Sequence, residues 1–252
     1  MFHLKKHYFD GIDQQGNLFI IYDAALTIGG ISIPYSSIIT QLNGKNLEHR
    51  RLSRLKRSDA RIRHNKLNFN GNWLPLSHIS PLTLYQRGKR RLIWHCHTAK
   101  ADFELEFAQQ TYRGLGYAET LEMNFAPWLL PISELRWGRF LSANHSIVWI
   151  EWLGETTLKK LIWNGELIKN FEINDNVLLI KEKQLSLYFR RPMIIKDEPL
   201  VKITERFKFL RFLIKKSFLQ SRETKWKSEA ELSVANQTES GFALYERVLW
   251  KK

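Results

Sequence analysis

One cysteine, Cys96, stands among 252 residues, so no internal disulfide forms and nothing implies an oxidising compartment. Only three methionines and seven prolines are present, which leaves no proline-rich linker to announce a domain boundary. The longest apolar region, Leu18 to Ile33, is broken by Asp23 and by Gly29-Gly30, which argues against a membrane-spanning helix. The opening Met1-Phe2-His3-Leu4-Lys5-Lys6-His7 carries no apolar core of the kind a secretory leader needs, so the expected location is cytoplasmic. Motifs of common chemistry are missing as well. Gly114-Leu115-Gly116 continues into Glu119 where a dinucleotide loop wants a small residue, Gly44-Lys45 lacks the rest of a phosphate loop, and no Gly-x-Ser-x-Gly elbow occurs. No cofactor is therefore expected.

Acidic residues are the minority, 25 against 39 lysines and arginines, giving a formal charge of +14. The excess concentrates in Lys45 to Lys66 and Lys202 to Lys227, where apolar residues interrupt the charges as they do on faces of ordered elements. Such faces could touch an anionic membrane surface; nucleic acid ranks last, because no recognised binding module accompanies the charge. Hydrophobic residues make up 44% and aromatics 13%, ample for a folded core.

The chain reads as short strands punctuated by turns. His7 to Ile12 runs through the polar cluster Asp13 to Asn17 into Leu18-Phe19-Ile20-Ile21-Tyr22, a hairpin pattern. Asn43-Gly44, Asn70-Gly71 and Asn164-Gly165 mark three further tight turns, and Gly114-Leu115-Gly116 reads as another. Strands at intervals near ten residues indicate an all-β sandwich or barrel. Pro199 to Gln220 mixes helical and strand periods, and one short helix is expected near residues 203–220 as the alternative to an irregular segment. A weak repeat accompanies the strands. Setting Tyr8 on Trp137 brings Leu18-Phe19-Ile20-Ile21 onto Ile147-Val148-Trp149-Ile150, which favours two related β halves, 1–128 and 129–252.

His7-Tyr8-Phe9-Asp10-Gly11, Gly116-Tyr117-Ala118-Glu119, and Pro131 followed by Leu135-Arg136-Trp137-Gly138-Arg139-Phe140 together carry a resemblance. In that order they are similar to the lipocalin-like family of hydroxyneurosporene synthase (carotenoid 1,2-hydratase) and, more distantly, tocopherol cyclase. The resemblance implies two lipocalin-like antiparallel β halves, barrels or sandwiches, with a cavity for a hydrophobic isoprenoid or polyene ligand. It also implies hydratase, cyclase or isomerase chemistry.

Such chemistry needs a proton donor and a dry pocket to shelter a carbocation. Strand alternation puts Glu119 on an apolar face with Tyr117, Leu121 and Met123. His95 and His97 share a face opposite Trp94 and Cys96, and Glu151 shares one with Trp149. If those faces line one cavity, Glu119, Tyr117, His95 and Glu151 are the candidate acid and base groups. Trp137, Trp149, His97 and Arg139 would contact the ligand, and Asp10 of the first motif joins them. Arg139 could instead neutralise Glu119 as a plain core pair. The two histidines alone lack a third ligand at a recognisable spacing, so no metal is expected.

Overall fold

The computed structural model describes residues 2–58, 60–202, 214–235 and 237–251. The chain divides into two compact units, Met1–Pro127 and Trp128–Lys252.

The first unit contains β1 (Phe2–Asp13), β2 (Leu18–Ile28), β3 (Ile31–Leu42), β4 (Lys45–Arg51), β5 (Lys56–Ser58), β6 (Arg61–His64), β7 (Phe69–Ser77), β8 (Leu82–Arg87), β9 (Arg90–Phe107) and β10 (Gln110–Met123). They form one antiparallel sheet in the order β4-β3-β2-β1-β10-β9-β7-β6-β5, with β8 also on β9. The second unit contains β11 (Ile132–Leu141), β12 (Ser146–Gly154), β13 (Leu158–Trp163), β14 (Glu166–Ile168), β15 (Glu172–Ile173), β16 (Val177–Ile180), β17 (Leu185–Pro199), β18 (Arg222–Val234) and β19 (Gln237–Leu249). Its sheet runs β14-β13-β12-β11-β19-β18-β17-β16-β15. The two strand paths are the same path. Both also carry a 3-10 turn at the corresponding place, Asn65–Leu67 before β7 and Lys181–Lys183 before β17, each ended by a left-handed residue, Asn68 or Gln184. The weak repeat in the sequence is thus a repeat of topology. The fold is all-β, two curled antiparallel sheets of lipocalin-like type.

Local chemistry explains the hairpins. Both Asp13 carboxylate oxygens accept from Asn17, from its main-chain N–H at 2.8 Å and from its side-chain amide at 2.8 Å, closing the turn between β1 and β2. At Asn43-Gly44 and Asn164-Gly165 both residues have positive φ, as a two-residue hairpin turn requires. The other two expected turns are corrected. Asn70-Gly71 lies inside β7 and Gly114-Leu115-Gly116 inside β10. Glycine is needed there for close approach, since a Cβ on Gly71 would sit 2.6 Å from the Trp73 ring and one on Gly114 2.2 Å from the Ile12 carbonyl oxygen. The short helix is a single turn, α1 (Lys216–Leu219); the rest of the expectation, residues 203–213, lies outside the described residues.

Each sheet closes on its own core. Phe9, Phe19, Ile21, Ile38, Trp73, Phe103 and Ala118 belong to the first, and Phe140, Trp149, Leu161, Leu187, Phe189 and Ala243 to the second. These residues define the inner faces. On β1 and β10, neighbours Tyr8, Asp10, Tyr117 and Glu119 point the other way, yet all are 5% exposed or less. The strands at the centre of the first sheet are therefore buried on both sides.

Candidate functional site

Glu119 sits opposite Tyr8 of β1, beside two register shifts where β10 meets β9. The Tyr117 hydroxyl donates to Glu119 Oε2 at 2.7 Å, and the Trp94 indole N–H donates to the same oxygen. Both donors are neutral. Tyr117 also bonds the Cys96 thiol, and burial pushes both of these groups well above their ordinary pKa, so both keep their protons. The Tyr8 ring meets Tyr117 edge-on at 6.0 Å and Tyr22 at 5.3 Å. Asp10, fully buried, faces the same side as Tyr8, and its main-chain carbonyl accepts from the Trp73 indole at 2.7 Å. Tyr117 and Glu119 are brought together as the sequence proposed, but their companion from β9 is Trp94.

His95 and His97 lie on the opposite, inner face. Their rings meet edge to face at 5.6 Å, and His97 lies 6.4 Å from the core ring of Phe9. Burial, helped by His95 and then Arg57, pushes His97 down to about 4, so it is neutral at pH 7. Its nearest tie to Glu119 is a hydrogen bond with that residue's main chain, not with the carboxyl.

That inner face joins His95 to residues the sequence reading missed. Register places His95 opposite Thr120, Thr120 opposite His7, His7 opposite Asp23 and Asp23 opposite Ser36. These five residues on β9, β10, β1, β2 and β3 form one polar rung beside the apolar rung Ala118, Phe9, Ile21 and Ile38. Asp23, fully buried, accepts from Arg54 through Nε at 2.8 Å and Nη2 at 2.9 Å, and from the Leu55 main-chain N–H at 3.1 Å. Arg57 Nε lies 3.4 Å from the second carboxylate oxygen. Ser36 and Ser53 bond His64 Nε2 at 3.0 and 2.9 Å, while His64 Nδ1 accepts from the Leu67 N–H. The one available signal was Asp23 itself, a charge inside an apolar run.

In the second unit, Trp137 and Trp149 border a cavity of about 230 Å³ together with Phe189, Trp226 and Tyr245. Trp226 and Tyr245 stack at 5.4 Å, and Phe189 lies 4.9 Å from Tyr245. Asp175, Arg136 and Arg247 add charge to the lining. Burial, and Asp175, push the Tyr245 hydroxyl up to about 12. Glu151 lies between Arg136 at 3.5 Å and Lys159 at 3.6 Å, in the second unit and not in the first with Glu119. Arg139, buried, donates through Nη1 to the Phe242 carbonyl at 3.0 Å.

Much of the basic excess is compensated locally. Arg50 pairs with Glu48, Arg54 and Arg57 turn onto Asp23, Arg222 pairs with Asp197, and the buried Lys225 contacts Glu223 and Glu246. Among the described residues, no three metal-binding side chains gather in a cluster, and no helix is long and apolar enough to cross a membrane.

No protein-family model and no curated protein matches the sequence. Solved structures match in fold. CghA, crystallised with Sch210972, aligns with a TM-score of 0.67 at 8% identity, over 99% of this chain and 89% of that one. A putative AttH from Nitrosomonas europaea aligns at 0.56 with 10% identity, over 100% of this chain and 94% of the other. Kievitone hydratase from Nectria haematococca aligns at 0.52 with 9% identity, over 98% and 88%. At such identities the likeness is one of architecture, and it places this chain in the all-β lipocalin-like fold that those proteins share.

Proposed function

We propose that the protein is a hydratase- or cyclase-like enzyme that acts on a hydrophobic small molecule with a carbon–carbon double bond, and that Glu119 donates the proton. The observation that carries the reading is the Glu119 carboxyl itself, 5% exposed and held by two neutral donors, Tyr117 and Trp94. Both bonds fall on Oε2, so in this reading the proton is delivered from Oε1. The alkene takes that proton and becomes a carbocation. Water then adds to the cation and returns a proton to the carboxylate, for a net gain of one water; capture by an internal double bond gives a ring instead. Burial among Tyr8, Tyr22 and Tyr117 excludes bulk water and offers aromatic faces to the cation. Fold neighbours that include a hydratase support the type of reaction, and the motifs similar to hydroxyneurosporene synthase support an isoprenoid or polyene substrate.

The test is turnover of a panel of isoprenoid alcohols and polyenes by wild type and by Glu119→Gln. Loss of a positioned general acid lowers the rate by about 10²–10⁴-fold. Equal turnover by the variant would remove Glu119 from the reaction.

A second reading, a carrier without chemistry, is favoured by the aromatic cavity of the second unit. At about 230 Å³ it accommodates part of a ligand rather than a whole drug-sized one. Mass spectrometry of extracted ligand before and after incubation separates the readings, since a carrier returns its ligand unchanged. Contact of the exposed basic residues with an anionic membrane is tested by liposome binding across a salt series.

A further inference from the structure

The polar rung of the first unit is on the face opposite Glu119 and takes no part in the chemistry above. It has three properties that belong together. Two guanidinium groups, Arg54 and Arg57, converge on the single carboxylate of Asp23, and the neighbouring His7 and His97 are neutral at pH 7, so among the described residues of the cluster one positive charge is in excess. His7 is 4% exposed, and among the described residues its Nε2 has no hydrogen-bond partner. The side chains grade from the fully buried Asp23 to Arg57 at 33% and Arg54 at 41% exposure, so the cluster reaches from the sheet interior to solvent.

The protonation of His7 follows from its neighbours. Arg57 Nη1 stands 3.1 Å from His7 Nδ1, and a guanidinium can only donate. Nδ1 is therefore an acceptor, and it also faces the Thr120 hydroxyl at 2.8 Å. In a neutral ring the proton must then be on Nε2, which makes the unpartnered atom a buried N–H donor. A buried donor without an acceptor forfeits its hydration and gains nothing in return. Arg57 stands between the two groups, with Nε 3.4 Å from the Asp23 carboxylate and Nη1 3.1 Å from His7 Nδ1. A neutral donor, an adjacent guanidinium and one surplus positive charge match the needs of a single kind of group, an oxyanion.

We propose that this pole of the first unit binds the oxyanion group of a small ligand, a carboxylate or a phosphate, through His7 Nε2–H and the Arg57 guanidinium. Asp23 and Arg54 are positioning residues here. Asp23 fixes the Arg57 fork, and Arg54 neutralises Asp23 so that it does not repel the ligand. The apolar rung of Phe9, Ile21 and Ile38 lies next along the same inner face, which suits a carboxylate that ends a hydrocarbon chain.

The test is histidine ring NMR on the full chain labelled with nitrogen-15, titrated at pH 7 and low ionic strength with inorganic phosphate, acetate or octanoate. His7→Gln identifies the His7 signals by their loss. The expected result is a saturable shift of the His7 Nε2 resonance, and a dissociation constant about tenfold or more weaker in Arg57→Gln. A response to octanoate alone identifies the terminus of an acyl chain, a response to phosphate alone identifies a phosphate ligand, and a response to all three identifies a general oxyanion site. The wild-type titration decides without any variant. If no anion moves the His7 signals in a saturable way, the proposal is overturned, as it is if a folded Arg57→Gln binds with unchanged affinity.

Discussion

Replacing Asp23 by alanine removes the carboxylate on which Arg54, Arg57 and the Leu55 N–H converge. The Leu55 amide is buried, and stranding it costs about 1–3 kcal/mol. Breaking a fully buried ion pair costs about 3–5 kcal/mol, but Arg54 and Arg57 are 41% and 33% exposed and swing partly into water, which reduces their share to about 1–2 kcal/mol. The expected loss is about 3 kcal/mol, a fall in Tm of about 6–12 °C for a chain of this size. Asp23→Asn keeps an acceptor for the Leu55 N–H and should lose about half as much. Urea unfolding with an unchanged slope, checked by calorimetry, measures both variants. A loss below about 1 kcal/mol for the alanine variant, or equal losses for the two, would refute the reasoning that Asp23 organises this end of the sheet.

Burial holds His7 and His97 down to about 4 in the folded chain, whereas they titrate near 6.5 when unfolded. Unfolding therefore takes up protons between those values, and stability should fall as pH drops from about 6.5 to about 4. The His7→Phe/His97→Phe double variant should show a flatter dependence in urea melts; an unchanged slope would contradict the assignment. Cys96, buried with a thiol pushed far up, should resist iodoacetamide in the native protein and react once denatured. Rapid native labelling, followed by peptide mass spectrometry, would contradict its place beneath Tyr117. Trp226→Ala opens the stack with Tyr245 and should weaken polyene binding about three- to tenfold by fluorescence titration, a loss that a cavity unused by the ligand would not show.

The strand pattern was legible because hairpin chemistry is local: Asp13 with Asn17, and the two Asn-Gly turns, act within a few residues of themselves. The turns assigned to Asn70-Gly71 and Gly114-Leu115-Gly116 misled because their glycines answer to packing that composition does not display: the side chains of Trp73 and Leu105 crowd Gly71, and the Ile12 carbonyl crowds Gly114. Alternation correctly paired Tyr117 with Glu119. It did not say which face of β10 meets the core, because Ala118 enters it while Tyr117 and Glu119 are equally buried on the other side. Trp94 therefore went unrecognised as Glu119's partner, being set aside with Cys96 on the face away from the histidines. The rung from His95 to Ser36 was invisible for another reason. Its members come from five strands spread over the whole first unit, and only register brings them to one level.

The central claim is that Glu119 delivers a proton to carbon. Turnover of an isoprenoid or polyene substrate in deuterium oxide tests it directly, with the product analysed by mass spectrometry and NMR. The account predicts one deuterium on the carbon that was protonated in the wild-type product, and no labelled product from Glu119→Gln although that variant still binds the substrate. Product formed without carbon-bound deuterium, or labelled equally by Glu119→Gln, would contradict it.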